Sequence, residues 1–582
     1  MRVEEIRQSQ FVLTYGPGAI RETPWGPRLI LGCGPGLFGD GRIDPSTLEI
    51  SAGRLRGMLG SKARIFRPPS GRQYAWKTKR FPGWYLCPEH WFLYSRRCPK
   101  CGERESGHAV RFVMACPAGH LDDVNWPYLL HRDRRCARED GFQWIGGRGS
   151  VGQIELLCPD CGTRWKLASA YETIWRCTGR RPEEEPAGTG PQRPGCGERA
   201  HLVQRQAINL RLPELVTVFT VPPLHTSLHR LLGLPAVRPL IEACQDEEIM
   251  DEAWPGRFRR QLQNLASRRP ELEVTCAEIL TRLDEDVGAV RGAALDLLRP
   301  NPSTYGELLL DELHQLLKAS LHGVAGEADS SFEVVRDRIR RVRTPEGRWL
   351  RVVPVSRLRV LTVQRGYRRL VGSDVRGATT RDIGWRDEAG QVWYPGMEYL
   401  GEGIFLMLDA EEGWHFEMKP DPAGAWEEAR ARARDLYGKS HFRSDTADEL
   451  DPVFVWWHTL SHLIIRAIGR HSGYSSTAVR ERVYFEESRG RSRGAVLLYA
   501  SEPGSEAALG GLVGLVPRFE TILQAAWEAI LYCSNGHLCD SNRFRPGTHG
   551  GAACYGSAVV SETSCEHRNL WLDRNLLLEN PP

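Results

Sequence analysis

The chain has 582 residues, 41% of them hydrophobic, and a formal net charge of only +4. That length fits about three to four domains, and the apolar fraction is ample for several packed cores, so a wholly disordered chain is excluded. The first residues, MRVEEIRQSQF, are too charged for a secretory signal, and no run of about 18 apolar residues occurs, which predicts a cytoplasmic protein.

Residues 1–84 mix short apolar runs with turn signals (YGPGAI, TPWGP, LGCGPG), and FVLTY and LILG read as strands in a β-rich region. Residues 85–205 are rich in cysteine and poor in long periodic segments, which predicts zinc-ribbon-like modules. Residues 206–330 read as helical, with YGELLLDELHQLLKASL the clearest amphipathic helix. Residues 331–448 read as a mixed β-rich region. Its best strands are RWLRVVPVSRLRVLTVQRGY and EGIFLMLDA, and AWEEARARARDLYG is an exposed helix. Residues 449–582 read as a C-terminal α/β domain with a zinc site: the helix in DPVFVWWHTLSHLIIRAIGRHSGYS, the strands VYFEES and GAVLLYASE, then the helix PRFETILQAAWEAIL. The expected fold class is therefore α+β and multidomain.

Sixteen cysteines in a cytoplasmic chain point to metal ligands rather than disulfides. Nine fall between Cys87 and Cys196 and four between Cys533 and Cys565. Zinc takes thiolates and imidazoles in a tetrahedron, and ligands two to four residues apart on one turn fill half of it. Taken in chain order, the residues form four sets. The first is Cys87, His90, Cys98 and Cys101. The second is Cys116, His120, His131 and Cys136. The third is Cys158, Cys161, Cys177 and Cys196. The fourth is Cys533, Cys539, Cys554 and Cys565, in which His537, His549 or His567 is an alternative ligand. The count predicts up to four Zn2+ ions. For the second set the alternative is a core cysteine with two hydrogen-bonded histidines.

Other motifs carry less. HTLSH puts His458 and His462 on one helical face, but Thr459 stands where a metalloprotease needs Glu, so packed histidines are expected. YGKSH lacks the glycine and the strand of a phosphate loop, and His415 and Lys419 have the wrong spacing for an HxK nuclease. No ATPase, helicase or nuclease motif is found, so no catalytic residue is expected. Residues 336–381 hold 14 Arg against 3 acidic residues. Arg338, Arg340, Arg351, Arg357, Arg359, Arg368 and Arg369 are candidates for tracking a phosphate backbone, with Trp349 and Tyr367 available to stack on bases. A solvated basic face is the alternative.

HTLSHLIIRAIGRHSGYS, GAVLLYASEP, LGGLVGL, YCSNGHLC and AACYGSAVVSETSCEHRNLWLDR resemble a domain of unknown function found at the C-terminus of certain helicase-associated proteins. Together with IRQSQFVLTYGPGAI and VRFVMACPAGHLDDVNWPYLLH, they make the chain similar to the DrmB family, over about residues 5–205 and 450–578. The resemblance implies a non-catalytic, DNA-binding partner of a DrmA-type helicase in DISARM anti-phage systems, and zinc at the C-terminal cysteines; DNA with free or single-stranded ends is the expected target. Ser557 departs from the pattern, standing where many relatives carry a further Cys. Two other readings are a zinc-dependent hydrolase or nuclease centred on Asp122 and Asp123, and a protein scaffold without nucleic acid.

Overall fold

A computed structural model describes residues 6–33, 48–50, 55–69, 76–104, 108–132, 136–146, 151–173, 175–185, 190–221, 227–234, 236–298, 302–324, 331–345, 347–371, 378–409, 452–472, 477–488, 491–500, 511–542, 550–561, 564–567 and 569–579. The helix expected at 425–438 lies outside them, as do His415, Lys419, the YGKSH segment and His549.

The centre is an antiparallel sheet. Its long strands are β1 (Leu212–Phe219), β2 (Trp349–Arg368), β3 (Val392–Leu408), β4 (Val479–Ser488) and β5 (Arg491–Ala500), in the order β1-β2-β3-β5-β4. Val, Ile, Leu and Phe supply most of their buried apolar residues, as strands packed on both faces require. Alternation then divides the core into two layers. Leu350, Val352, Ile404, Leu406, Val496 and Leu498 face α2 (Pro452–Ser472) and α3 (Phe519–Leu531). Val353, Val355, Phe405, Met407, Leu497 and Tyr499 face α1 (Tyr305–His322). Helix α1 starts where the Thr304 side chain accepts from the Glu307 amide, and stops at Gly323, whose φ of 71° suits glycine.

Several expectations change here. LPELVTVF, expected within a helical region, is strand β1, because its β-branched residues alternate against β2. The helical part is narrower. Trp254–Arg268, Glu273–Glu285 and Val287–Leu298 pack around their own core of Trp254, Phe258, Leu262, Ile279, Leu283 and Val290. The boundary expected near 449 divides no sheet, since β4 and β5 continue the one built by β2 and β3. The FVL of FVLTY ends a short helix, Gln8–Leu13, whose Phe11 ring stacks on Trp76.

The cysteine-rich region forms two small antiparallel sheets. One runs Arg164–Lys166, Glu155–Leu157, Phe142–Ile145, Phe92–Tyr94, Tyr85–Leu86. The other runs Trp175–Arg176, Arg199–Gln204, Phe112–Ala115, Leu121–Asp122. They share a core of Leu93, Phe112, Trp126, Leu129, Phe142 and Leu156, with Cys116, Cys158 and Cys177 at its margin. Arg369, fully buried, fastens this region to the central sheet. It donates to Gly119 O (3.0 Å), Leu210 O (2.9 Å) and Gly18 O (3.3 Å). No helix among the described residues is long and apolar enough to cross a membrane.

Candidate metal centres

Strand ends bring the predicted ligands together, and in each group the ligand atoms lie within 4.8 Å of one another. A tetrahedral zinc with bonds of about 2.3 Å to sulfur sets thiolates roughly 3.8 Å apart, so these spacings fit an ion. Cys87, His90, Cys98 and Cys101 form one group, as the spacing predicts. Cys87 follows the strand Tyr85–Leu86, its Sγ lies 3.5 Å from His90 Nδ1 and 3.8 Å from Cys101 Sγ, and the His90 amide donates to it. Those amide and imidazole contacts overcome burial, which raises the thiol, and bring Cys87 down to about 7.

The next eight ligands regroup. Cys116 and His120 meet Cys177 and Cys196, while His131 and Cys136 meet Cys158 and Cys161. The sets are nested, one inside the other along the chain, instead of following in sequence. Strand pairing explains it. Cys116 leaves the strand Phe112–Ala115, and Cys177 leaves Trp175–Arg176. Both strands pair with Arg199–Gln204, which begins just after Cys196. Cys158 leaves Glu155–Leu157, which pairs with Phe142–Ile145 just after Cys136.

Two features favour an ion in these groups. His131 Nε2 is buried with no hydrogen-bond partner among the described residues, and one nitrogen of the same ring lies within 4.8 Å of three thiols. The amides of Gly179 and Glu198 donate to Cys177 and Cys196, each at 3.4 Å, an arrangement that steadies thiolates. The Cys177 thiol, against burial, and the His120 ring pull Cys116 down to about 5, and the Thr163 hydroxyl pulls Cys161 to about 6. Both shifts favour the thiolate, the form that ligates metal.

Near the C-terminus, Cys533, Cys539 and Cys554 gather, with Cys533 and Cys554 sulfurs 3.4 Å apart. The expected fourth member, Cys565, is elsewhere, beside His458, His462 and Glu481. The buried Ser557 takes its place, its Oγ 3.6 Å from Cys539 Sγ and 3.4 Å from Cys554 Sγ. His537 is exposed on a short helix, and His567 packs against the Phe454 and His458 rings. Sequence reasoning missed His458, His462 and Glu481 as a group. The available signal was a pair of histidines four apart on an otherwise apolar helix.

Asp122 and Asp123 border a cavity of about 550 Å3 beside the Cys116 group, lined also by Tyr128 and Trp175. Asp122 is fully engaged there. Arg180 and Arg193 donate to it at 2.7 Å and Thr178 at 2.8 Å, while Asp123 accepts from the Gly83 amide. Burial raises the Asp122 carboxyl, but the two guanidiniums outweigh it and hold the group below its usual range. That is the chemistry of a structural anion, a poor general base.

The arginine candidates divide. Arg338 and Arg340 are exposed, on a single 3-10 turn and on the short strand Arg340–Arg343. Arg357 is half-buried, 3.8 Å from Glu333. The other four are committed inside the fold. Arg351 bridges to Asp409 at 2.8 Å, Arg359 to Glu398 at 2.9 Å, the buried Arg368 pairs with Glu214, and Arg369 is the buried clamp described above. The expectation of one basic strand face fails for a definite reason. A bulge between Val355 and Leu358 shifts the register of β2 against β3, so the facing parity switches. Arg351 and Arg359 consequently lie on opposite faces. Tyr367 is buried with its hydroxyl on Glu183, and the Trp349 ring is covered by Arg341 (5.0 Å) and Arg343 (5.9 Å), so neither offers a free ring to a base.

Fold and site together define a multidomain α+β protein with several Cys/His groups competent to hold metal. Residues 7–212 match a family described as a domain of unknown function, DUF8724. The particular likeness is to the DISARM protein DrmB of Bacillus paralicheniformis, 26% identical over 496 residues, covering 83% of this chain and 82% of that protein. The resemblance read from the sequence thus extends over most of both chains. A crystal structure of the DUF1998 helicase MrfA bound to DNA overlaps 40% of this chain and 24% of that one, with 13% identity and a TM-score of 0.20. An overlap that slight carries no argument.

Proposed function

We propose that the chain is a zinc-binding, non-catalytic subunit of a DISARM-like anti-phage defence complex, one that partners a DrmA-type helicase and helps it hold DNA. The observation that carries this reading is the likeness to DrmB across 83% of the chain. Ligand chemistry supports zinc: the three mixed thiolate and imidazole sets of four in the cysteine-rich region suit its tetrahedral shell and fill it, while the Cys533 group supplies three thiolates beside Ser557. The engagement of Asp122 by two guanidiniums supports a structural use of that site over hydrolysis.

For DNA, the surface that remains is the exposed stretch Arg336–Arg343, where Arg336, Arg338, Arg340, Arg341 and Arg343 all reach solvent. Each phosphate neutralised contributes about 0.9 to the slope of log K against log salt on duplex DNA. Replacing Arg338, Arg340 and Arg343 together by Ala is expected to lower that slope by about 2–3. Arg359→Ala, whose guanidinium is held by Glu398, is expected to leave it unchanged. Fluorescence anisotropy on duplexes with single-stranded tails, over a salt series, measures both. An unaltered slope in the triple variant rejects this edge as the DNA contact.

A further inference from the structure

We propose that His458, His462, Glu481 and Cys565 bind one zinc-class divalent metal ion, as a closed structural centre separate from the three-cysteine group at Cys533, Cys539 and Cys554. Each side chain comes from a position that the fold fixes. His458 and His462 are one helical turn apart on α2, Glu481 is on β4, and Cys565 is on the C-terminal segment, which meets β4 where the Glu481 amide donates to Ser564 O at 3.0 Å. Both histidines and Glu481 are 0% exposed and Cys565 is 5% exposed.

The outer hydrogen bonds decide what these groups present to one another. His462 Nδ1 lies 2.8 Å from Ala558 O, and His458 Nδ1 lies 3.3 Å from Trp571 O. A carbonyl oxygen only accepts, so each Nδ1 carries a proton, and a neutral ring then keeps its lone pair on Nε2. Both Nε2 atoms then converge on one oxygen of Glu481, at 2.8 Å and 3.1 Å, and His458 Nε2 also faces Cys565 Sγ at 3.3 Å. Cys565 Sγ accepts from the amides of His567 and Asn569, and the second Glu481 oxygen accepts from the Ser461 hydroxyl. Donors thus surround the group on its outer side, while four lone-pair donors point at one another within it. One cation shared by all four satisfies that interior at once; without it, protons on an imidazole or on the thiol must fill the same space.

A divalent ion resolves this arrangement. Its two charges cancel one carboxylate and one thiolate, leaving a neutral centre among buried side chains, whereas an uncompensated buried charge is costly. Imidazoles oriented by carbonyls through Nδ1 are the usual support for metal-bound histidine. Two nitrogens, one oxygen and one sulfur make a four-coordinate set that zinc accepts. Full burial assigns the ion a structural part: it fastens α2, β4 and the C-terminal segment where their cores meet.

Metal per folded, full-length chain, read by inductively coupled plasma mass spectrometry, tests the assignment. Cys565→Ser and His462→Gln are each expected to lose one equivalent, and the two combined still one. Cys539→Ser with Cys565→Ser is expected to lose two. Retention of the wild-type count by Cys565→Ser and His462→Gln overturns the proposal, as does a loss of only one by Cys539→Ser with Cys565→Ser. If the variants do not fold, crystals of the wild-type protein grown with zinc give the answer. An anomalous peak at the zinc edge between the two Nε2 atoms, Glu481 and Cys565 supports the site, and its absence there refutes it.

Discussion

Cys116→Ser and Cys177→Ser are each expected to remove one metal ion, and the two together still only one, whereas Cys158→Ser with Cys177→Ser is expected to remove two. This pattern separates the nested pairing seen in the structure from the sequential pairing that spacing alone predicts, under which Cys158 and Cys177 share an ion. The stability effect should also be large. Structural zinc sites in small peptides supply an apparent 10–16 kcal/mol or so, comparable with the roughly 5–15 kcal/mol that stabilises a whole domain. The two sheets of this region have strands of only two to six residues and a modest shared core, so the loss of one ion should open the segment to protease. Native mass spectrometry gives the ion count, and limited proteolysis followed by mass mapping shows whether cleavage concentrates between residues 108 and 204. Two ions lost from the Cys116→Ser, Cys177→Ser pair would contradict the pairing.

Arg482→Met is expected to destabilise the chain by about 3–5 kcal/mol, the usual cost of breaking a buried ion pair from one side. The Arg482 guanidinium is fully buried and meets Glu312, Glu566 and Thr217 O, each at 2.8 Å. It also lies 4.2 Å from the Phe219 ring centre. Burial lowers its proton affinity, but the two carboxylates outweigh that and raise its pKa well above the ordinary value, so it stays charged. Through it, α1, β1, β4 and the C-terminal segment are tied at one point. Removing it leaves two carboxylates facing each other in the core. Thermal melting should therefore show a clear loss in the single variant and substantial recovery when Glu312→Gln and Glu566→Gln are added, since neutral amides no longer repel. A single variant that melts like wild type would show that the pair contributes nothing.

The sequence shows local features well and distant pairings poorly. RWLRVVPVSRLRVLTVQRGY and YGELLLDELHQLLKASL form their expected strand and helix because alternation and helical spacing are properties of consecutive residues. The same holds for CPEHWFLYSRRCPKC, whose ligands lie within one turn-strand-turn unit. The second and third sets could be recognised as half-sites, but which half meets which depends on strand pairings between segments up to about 90 residues apart, and nothing local encodes that. Arginine count misleads for a related reason. A guanidinium on a strand looks alike whether solvent or a buried acid meets it, and Glu214, Glu398 and Asp409 lie far along the chain from several of the arginines they hold. The histidines of α2 were concealed by their neighbours: Trp456, Trp457, Leu460 and Leu463 make the segment read as core, which it is, with a polar centre inside it.

In the proposed function, thiolates and imidazoles gathered from separate strands hold ions that complete the fold. Zinc content of the purified, reduced, full-length chain, measured together with its melting curve before and after strong chelation, tests it most directly. About five zinc ions per chain, one for each group in the structure, with a melting temperature that falls sharply on chelation, is the result expected. Essentially metal-free protein whose melting is unchanged by chelator would contradict it.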